Sequence, residues 1–63
     1  MIIINSHTYD DTKVFTRVIE AHFYICSACY VIGKVLQNVD KLSYKGDIFD
    51  LHDGCELAVI ERL

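Results

Sequence analysis

The sequence has few cysteines, and nothing at its start resembles a secretory signal. Its 63 residues include 3 cysteines, Cys26, Cys29 and Cys55, an odd number and too few for a disulfide-rich framework. The opening MIIIN has no basic leader, and its apolar run stops at Asn5, which is too short for a signal peptide. We therefore expect a reducing, cytoplasmic location, in which a disulfide is the least expected source of stability.

The sequence also lacks an apolar run long enough to cross a membrane. Its longest run, from Ala21 to Leu36, contains His22, Ser27 and Lys34. This run falls short of the roughly 20 apolar residues that a spanning helix needs. We expect no membrane embedding, and a structural or membrane-associated small subunit remains an alternative.

Acidic residues outnumber basic residues in this sequence. The chain has 6 Lys and Arg against 9 Asp and Glu, a net charge of −3. A phosphate-binding surface needs a basic stripe, so direct nucleic-acid binding is not expected. Between Gly46 and Arg62 no basic residue opposes a group of four carboxylates, Asp47, Asp50, Asp53 and Glu56. This acidic hairpin is a candidate surface for a protein target, although such carboxylates also suit the solvated face of a sheet.

The motifs of the common enzyme chemistries are missing. The sequence contains no G-x-S-x-G, no Walker A motif, no G-x-G-x-x-G and no H-E-x-x-H. A domain this small also has little room for a substrate pocket on the order of several hundred Å³. We therefore expect that the protein is not an enzyme.

The chain is too short to be stabilised by its core alone. A domain of 63 residues buries only about 60% of the surface that its unfolded chain exposes. Apolar burial and conformational entropy then nearly cancel, and small domains use a disulfide, a structural metal or a partner subunit as a supplement. With disulfides disfavoured, a metal and a second subunit are the expected supplements.

An apolar stripe with helical spacing runs through the middle of the chain. The positions reached from Val14 by alternate spacings of 4 and 3 residues are all apolar: Val14, Val18, Ala21, Ile25, Ala28, Ile32 and Val35. Thr8 and Asp11 resemble a capping box, and Asp10 and Asp11 suit the positive end of a helix dipole. The pattern predicts a helix over 14–36 that is entered near residues 8–10.

The remaining residues predict a sheet. Asp53-Gly54 is a preferred two-residue hairpin turn, and its flanks predict a β-hairpin from about Tyr44 to Arg62. MIIIN reads as a buried strand that joins this hairpin. The expected fold is α+β: a small single domain over 1–63 in β-α-β-β order, with one long helix on a three-stranded, mostly antiparallel sheet.

The stretch HFYICSACY, residues 22–30, allows two interpretations. On a helix, His22, Cys26 and Cys29 share one face, and His52 and Cys55 flank the predicted turn as cross-strand neighbours. A complete Cys3His set of zinc ligands is therefore available, composed of Cys26, Cys29, His52 and Cys55. His22 could replace His52 in this set. The competing interpretation is simple burial of the cysteines in a second apolar stripe of the helix, with no cofactor. We favour burial and keep a zinc-stabilised module as the alternative.

The outward side of the predicted helix is polar only at its ends. Its middle carries an apolar and aromatic patch composed of Phe23, Tyr24, Ser27, Tyr30 and Val31. Exposed patches of this kind mark interaction surfaces. One small sheet cannot cover both sides of a helix, so we expect a homodimer or higher oligomer through this patch.

These observations predict a small cytoplasmic protein-binding module that acts stoichiometrically as an inhibitor or regulator of an unidentified protein target. Acidic proteins of this size without catalytic motifs are often accessory products of phages or mobile elements. Anti-defence proteins and antitoxins are examples, and a phage-encoded protein would act in the cytoplasm of the host cell. The helix patch and the acidic hairpin are the two candidate contact surfaces.

Overall fold

A computed structural model describes residues 1–43 and 46–62. The chain forms strands β1 (Ile2–Ser6) and β2 (Asp11–Phe15), helix α1 (Val18–Val31), a 3-10 helix at Val39–Ser43, and strands β3 (Asp47–Leu51) and β4 (Leu57–Arg62). The α+β class expected from the sequence is confirmed. Part of the predicted hairpin, Tyr44 and Lys45, lies outside the described residues.

The sheet is mixed and has four strands in the order β2-β1-β3-β4. β1 pairs with β2 and β3 pairs with β4 in antiparallel fashion, whereas the central pair, β1 and β3, is parallel. The predicted number of three strands is therefore wrong. As predicted, MIIIN supplies a buried strand beside the hairpin of β3 and β4.

The additional strand lies where the sequence predicts the entry and the start of the helix. Residues 11–15 pair with all of β1, from Ser6 opposite Asp11 to Ile2 opposite Phe15. Val14 fits the helical stripe by its spacing, but it lies 57% exposed on this edge strand. Pairing with β1 outweighs the local pattern here, because a strand partner is a tertiary feature that residue spacing does not reveal.

Helix α1 ends earlier than predicted because the chain enters a left-handed cap at Gly33, where φ is +71°. The Lys34 amide donates to the carbonyl of Cys29, and the Gly33 amide donates to that of Tyr30. These two bonds form a Schellman motif, which satisfies the last carbonyls of a helix and suits glycine at the left-handed position. The observed helix has 14 residues instead of extending over 14–36.

The core lies between α1 and one face of the sheet. Alternate residues of the two central strands are buried on this face, Ile2 and Ile4 in β1 and Phe49 and Leu51 in β3. From the helix, the buried residues are Ala21, Ile25, Ala28 and Cys29. The first three belong to the predicted apolar stripe, so the helical phase derived from the sequence is correct within α1. Two small alanines on this side allow close packing of the helix on the sheet.

The turn between β3 and β4 differs from the two-residue turn that Asp53-Gly54 predicts. The His52 amide donates to the carbonyl of Glu56, and the Cys55 amide donates to that of His52. Cys55 is left-handed, with φ at +59°, the conformation found at the end of a three-residue hairpin loop with a bulge. The additional residue separates two side chains expected to be neighbours: His52 is exposed and Cys55 is fully buried.

This turn brings Cys55 to the helix, where it forms a disulfide with Cys29. The Cα atoms of the two residues are 5.8 Å apart, and the bond joins positions separated by 26 residues. It fastens the end of α1 to the β3–β4 turn. The expectation that a disulfide is the least favoured supplement to this small core is therefore wrong.

One carboxylate lies inside the domain. Asp47, at the start of β3, is fully buried on the core face of the sheet, and neither of its oxygens accepts a hydrogen bond from a residue that the structure describes. Arg62, its partner in β4, places its Nε 3.7 Å from Oδ1 of Asp47. A buried anion is costly unless a cation compensates it, so this pair ties the last strand to the sheet.

Arg62→Met is expected to lower the free energy of unfolding by about 1–3 kcal/mol, because Asp47 stays buried without its cation. Lys13→Met is the matched control. It removes an exposed pair in which Nζ of Lys13 lies 3.3 Å from Oδ2 of Asp11, and it should change stability by at most about 0.5 kcal/mol. Urea unfolding of the two variants measures both values. Equal effects would contradict the role of the buried pair.

Candidate interaction surfaces

The side of α1 that faces away from the sheet is largely apolar. We call this surface the outer face and define it as Ile19, Phe23, Ser27, Tyr30 and Val31. Its apolar members are among the most exposed hydrophobic residues of the chain: Ile19 is 66%, Phe23 74%, Tyr30 85% and Val31 71% exposed. Such residues on a monomer are normally scattered singly. Here they follow one another along three turns of one helix, which is typical of a contact surface.

The outer face arises because α1 is apolar around its whole circumference. Between Val18 and Val31, only Glu20, His22 and Ser27 carry polar side chains other than tyrosine or cysteine. A helix that is hydrophobic all round is normally covered on all sides. The sheet covers only one side, so the opposite side exposes residues that are usually buried.

The predicted helix patch and the outer face coincide except at two positions. Phe23, Ser27, Tyr30 and Val31 are exposed, as the patch requires. Tyr24 is only partly exposed; its ring lies 5.4 Å from that of Phe15, and its hydroxyl is buried with no hydrogen-bond partner among the described residues. It therefore borders the outer face and does not belong to it. Ile19 was missed, although it lies one helical turn before Phe23, and this spacing could have identified it.

The four carboxylates of the predicted acidic hairpin do not share one surface. Asp47 lies in the core, because its position in β3 has the same orientation as Phe49 and Leu51. Asp50 has the opposite orientation and is partly buried on the face of the sheet away from α1. Asp53 and Glu56 are exposed in the turn. The alternation of strand residues therefore places Asp47 and Asp50 on opposite faces of the sheet, and the other two carboxylates lie in the turn.

Asp50 contributes to a polar cleft that the sequence analysis did not identify. Its Oδ2 lies 3.4 Å from Nε2 of His7, and the His7 ring stacks on that of His52 with centroids 4.9 Å apart. The open cleft has a volume of about 540 Å³. It is lined by Asn5, Ser6, His7, Asp10, Asp11, Thr12 and Asp50. Pairing of β1 with β2 brings Asp10 and Asp11 to this site, and their separation from Asp50 in the sequence hides the cluster.

The structure does not assemble the predicted Cys3His set. Cys29 and Cys55 are joined to each other, and His52 stacks on His7. Cys26 is a free thiol whose Sγ lies 3.4 Å from Nε2 of His22, at hydrogen-bond distance. Within residues 1–43 and 46–62, no three His, Cys, Asp or Glu side chains are arranged to hold a metal ion.

Within the same residues, no helix is both long enough and apolar enough to span a bilayer. No protein-family model, no curated protein and no solved structure matches the chain. Among the surfaces of the described residues, the outer face is the most unusual for a small domain.

Proposed function

We propose that this protein is a non-catalytic, protein-binding module that acts stoichiometrically as an inhibitor or regulator, with the outer face of α1 as its contact surface. The observation that carries the proposal is the exposure of Phe23, Tyr30 and Val31 on the side of one helix that the sheet does not cover. Aromatic residues are enriched at the centres of protein interfaces, and lysine and glutamate are depleted there. The middle of this face has no charged residue, which matches that composition.

The energetics favour a protein as the ligand of this face. Burial of apolar surface contributes about 25 cal/mol per Å² removed from water, so most of the available binding energy lies in the rings and branched side chains. The hydroxyl groups of Tyr30 and Ser27 provide hydrogen bonds that fix the orientation of a partner. An apolar helix face with a few polar groups fits a complementary groove or a second helix.

A stoichiometric mechanism requires no chemistry from this chain. The protein would occupy a surface of its target, and the effect would scale with the molar ratio of the two proteins. Anti-defence proteins and antitoxins of phages or mobile elements work in this way, and we place the protein in that functional class.

We also propose a cytoplasmic location, which requires that the Cys29–Cys55 bond is mostly reduced in the cell. Cytoplasmic thiols are kept reduced, so in that compartment the Cys29–Cys55 bond would form only transiently. Alkylation of free thiols at the moment of cell lysis, followed by intact-mass measurement, reports the state of this pair. Three alkylated cysteines per chain would agree with the cytoplasm, and one would indicate an oxidising compartment.

Phe23→Asp tests the contact surface. We expect this variant to fold, because Phe23 is mostly exposed, and to lose the target protein that the wild type retains. Tyr9→Asp is the matched control: it removes an exposed aromatic ring in the β1–β2 turn and should retain the target. The target captured by the wild type is purified, mixed with each variant and examined by native mass spectrometry. A 1:1 complex with the wild type and Tyr9→Asp, but not with Phe23→Asp, is the expected result.

Two outcomes would contradict the proposal. One is a target that binds Phe23→Asp as tightly as the wild type, which would exclude the outer face as the contact surface. The other is an effect on the target at a small fraction of its molar amount, which would exclude a stoichiometric mechanism.

A further inference from the structure

The Cys29–Cys55 bond has a free thiol beside it on the same helix. Cys26 precedes Cys29 by three residues in α1 and is the free cysteine among the described residues. Positions i and i+3 of an α-helix lie on the same side, with their Cα atoms about 5 Å apart. Two cysteines at this separation can form a disulfide. Cys29 therefore has a second partner within reach besides Cys55.

The three cysteines differ in their exposure to solvent. Cys29 is 2% exposed and Cys55 is 0% exposed, so the folded domain shields their bond from a thiol dissolved in water. Cys26 is only partly buried. A disulfide is exchanged when a thiolate reaches one of its two sulfur atoms. Cys26 therefore connects the solvent with a bond that solvent itself does not reach.

A proton acceptor lies beside Cys26. The thiolate, and not the thiol, is the nucleophile in an exchange reaction. Cys26 lies in the second half of α1, where the helix dipole does not favour a negative charge. Nε2 of His22, one turn earlier, lies 3.4 Å from Sγ of Cys26, and an adjacent imidazole can take the proton of a thiol. The pair thus has the arrangement of an activated cysteine.

We propose that Cys26 is a thiol-exchange site that opens the buried Cys29–Cys55 bond from inside the domain, with His22 as the proton acceptor. The thiolate of Cys26 attacks Sγ of Cys29. A bond between Cys26 and Cys29 forms, the bond between Cys29 and Cys55 breaks, and Cys55 leaves as a thiolate that takes up a proton. One disulfide replaces another in this step, so the chain is neither oxidised nor reduced.

A small external thiol such as glutathione then completes the reduction. Its thiolate attacks Sγ of Cys26, and Cys29 leaves as a thiolate. A second glutathione attacks the mixed disulfide on Cys26 and releases it, so two glutathione molecules become one disulfide and the chain gains two thiols. The exchange provides the route by which the thiols of the cytoplasm reduce a shielded bond. It is independent of the proposed contact surface, because Cys26 does not belong to the outer face.

The rate of reduction in the folded state tests this route. The oxidised wild type and Cys26→Ser are incubated with excess glutathione, quenched in acid at intervals and alkylated, and intact mass then counts the free thiols. Cys26→Ser should be reduced at least about tenfold more slowly, because a neighbouring thiol has a far higher effective concentration than a dissolved one. Equal rates for the two proteins would overturn the inference.

His22→Gln tests the proton acceptor, because glutamine can form a hydrogen bond but cannot take the proton of the thiol. This variant should also be reduced more slowly than the wild type. His7→Gln is the matched control: His7 stacks on His52 at the polar cleft, and its loss should leave the rate unchanged. Equal rates for His22→Gln and His7→Gln would exclude His22 as the acceptor.

Thermal unfolding of the oxidised proteins shows whether a variant is reduced at a different rate only because its stability has changed. If serine at position 26 alters the melting temperature, Cys26→Ala takes its place in the comparison. Both variants should still reach the fully reduced state, only later than the wild type.

Peptide mapping of the partly reduced wild type identifies the sulfur that is attacked. Trypsin leaves Cys26 and Cys29 together in residues 18–34 and Cys55 in residues 46–62. The expected intermediates are an internal bond in 18–34 with an alkylated Cys55, and glutathione attached to Cys26. Glutathione attached to Cys29 or Cys55 instead would show direct attack on the bond and would overturn the inference.

Discussion

Replacing Cys29 and Cys55 together with alanine should lower the free energy of unfolding by about 3–4 kcal/mol. The bond joins positions 26 residues apart, and a cross-link of this span restricts the unfolded chain by roughly that amount in the chain-entropy description. A 63-residue domain has a total stability on the order of 3–9 kcal/mol. The variant should therefore melt on the order of 15–25 °C lower than the wild type.

Cys26→Ala is the control for this prediction. Cys26 is the free cysteine among the described residues and is only partly buried, so its loss should change the melting temperature little. A reductant should lower the melting temperature of the wild type and of Cys26→Ala to that of the double variant, and should leave the double variant unchanged. Calorimetry with and without reductant provides the measurement. A wild type that melts at the same temperature in both conditions would contradict a stabilising role of the bond.

Ala28→Glu should unfold the domain. Ala28 is 4% exposed in the contact between α1 and the sheet, and its neighbours in the core are apolar. A glutamate there is buried without a cation, which costs several kcal/mol, and it also requires space that the core does not have. Because this cost is comparable with the whole stability of a domain of this size, circular dichroism should detect little helix at 25 °C.

Ser27→Glu is the matched control, because it introduces the same side chain one position earlier. Ser27 is exposed on the outer face, so the variant should retain its helix and change the free energy of unfolding by at most about 0.5 kcal/mol. Equal stability of the two variants would mean that the side of α1 facing the sheet has been misassigned.

The end of the helix illustrates how much local sequence can reveal. The stripe of apolar residues continued beyond Gly33 to Val35, and the helix was therefore predicted to extend too far. Gly33 was itself a signal for the end, because glycine is the residue preferred at a left-handed helix cap. At the other end the residue types mislead: threonine is a preferred N-cap residue, but Thr16 lies before the N-cap, which is Arg17 and makes no side-chain cap hydrogen bond. The boundary between β2 and α1 therefore cannot be read from residue types alone.

The number of cysteines in the sequence did not predict the disulfide. An odd number of cysteines argued against a disulfide. The pair forms because Cys55 adopts a left-handed conformation in the β3–β4 turn and thereby points its side chain at α1. This geometry depends on one additional residue in the loop, and Asp53-Gly54 favours the shorter turn that lacks it.

By itself, the sequence determined that the domain is α+β, that Ala21, Ile25 and Ala28 face the core, and that the opposite side of the helix is apolar. These properties follow from the spacing of residues along one element, which is local information. Tertiary structure alone decided that residues 11–15 form a strand, that Asp47 is buried beside Arg62, and that Cys29 reaches Cys55. Each of these depends on a partner in another element: β1 for residues 11–15, β4 for Asp47, and the β3–β4 turn for Cys29. The spacing of residues within one segment does not identify that partner.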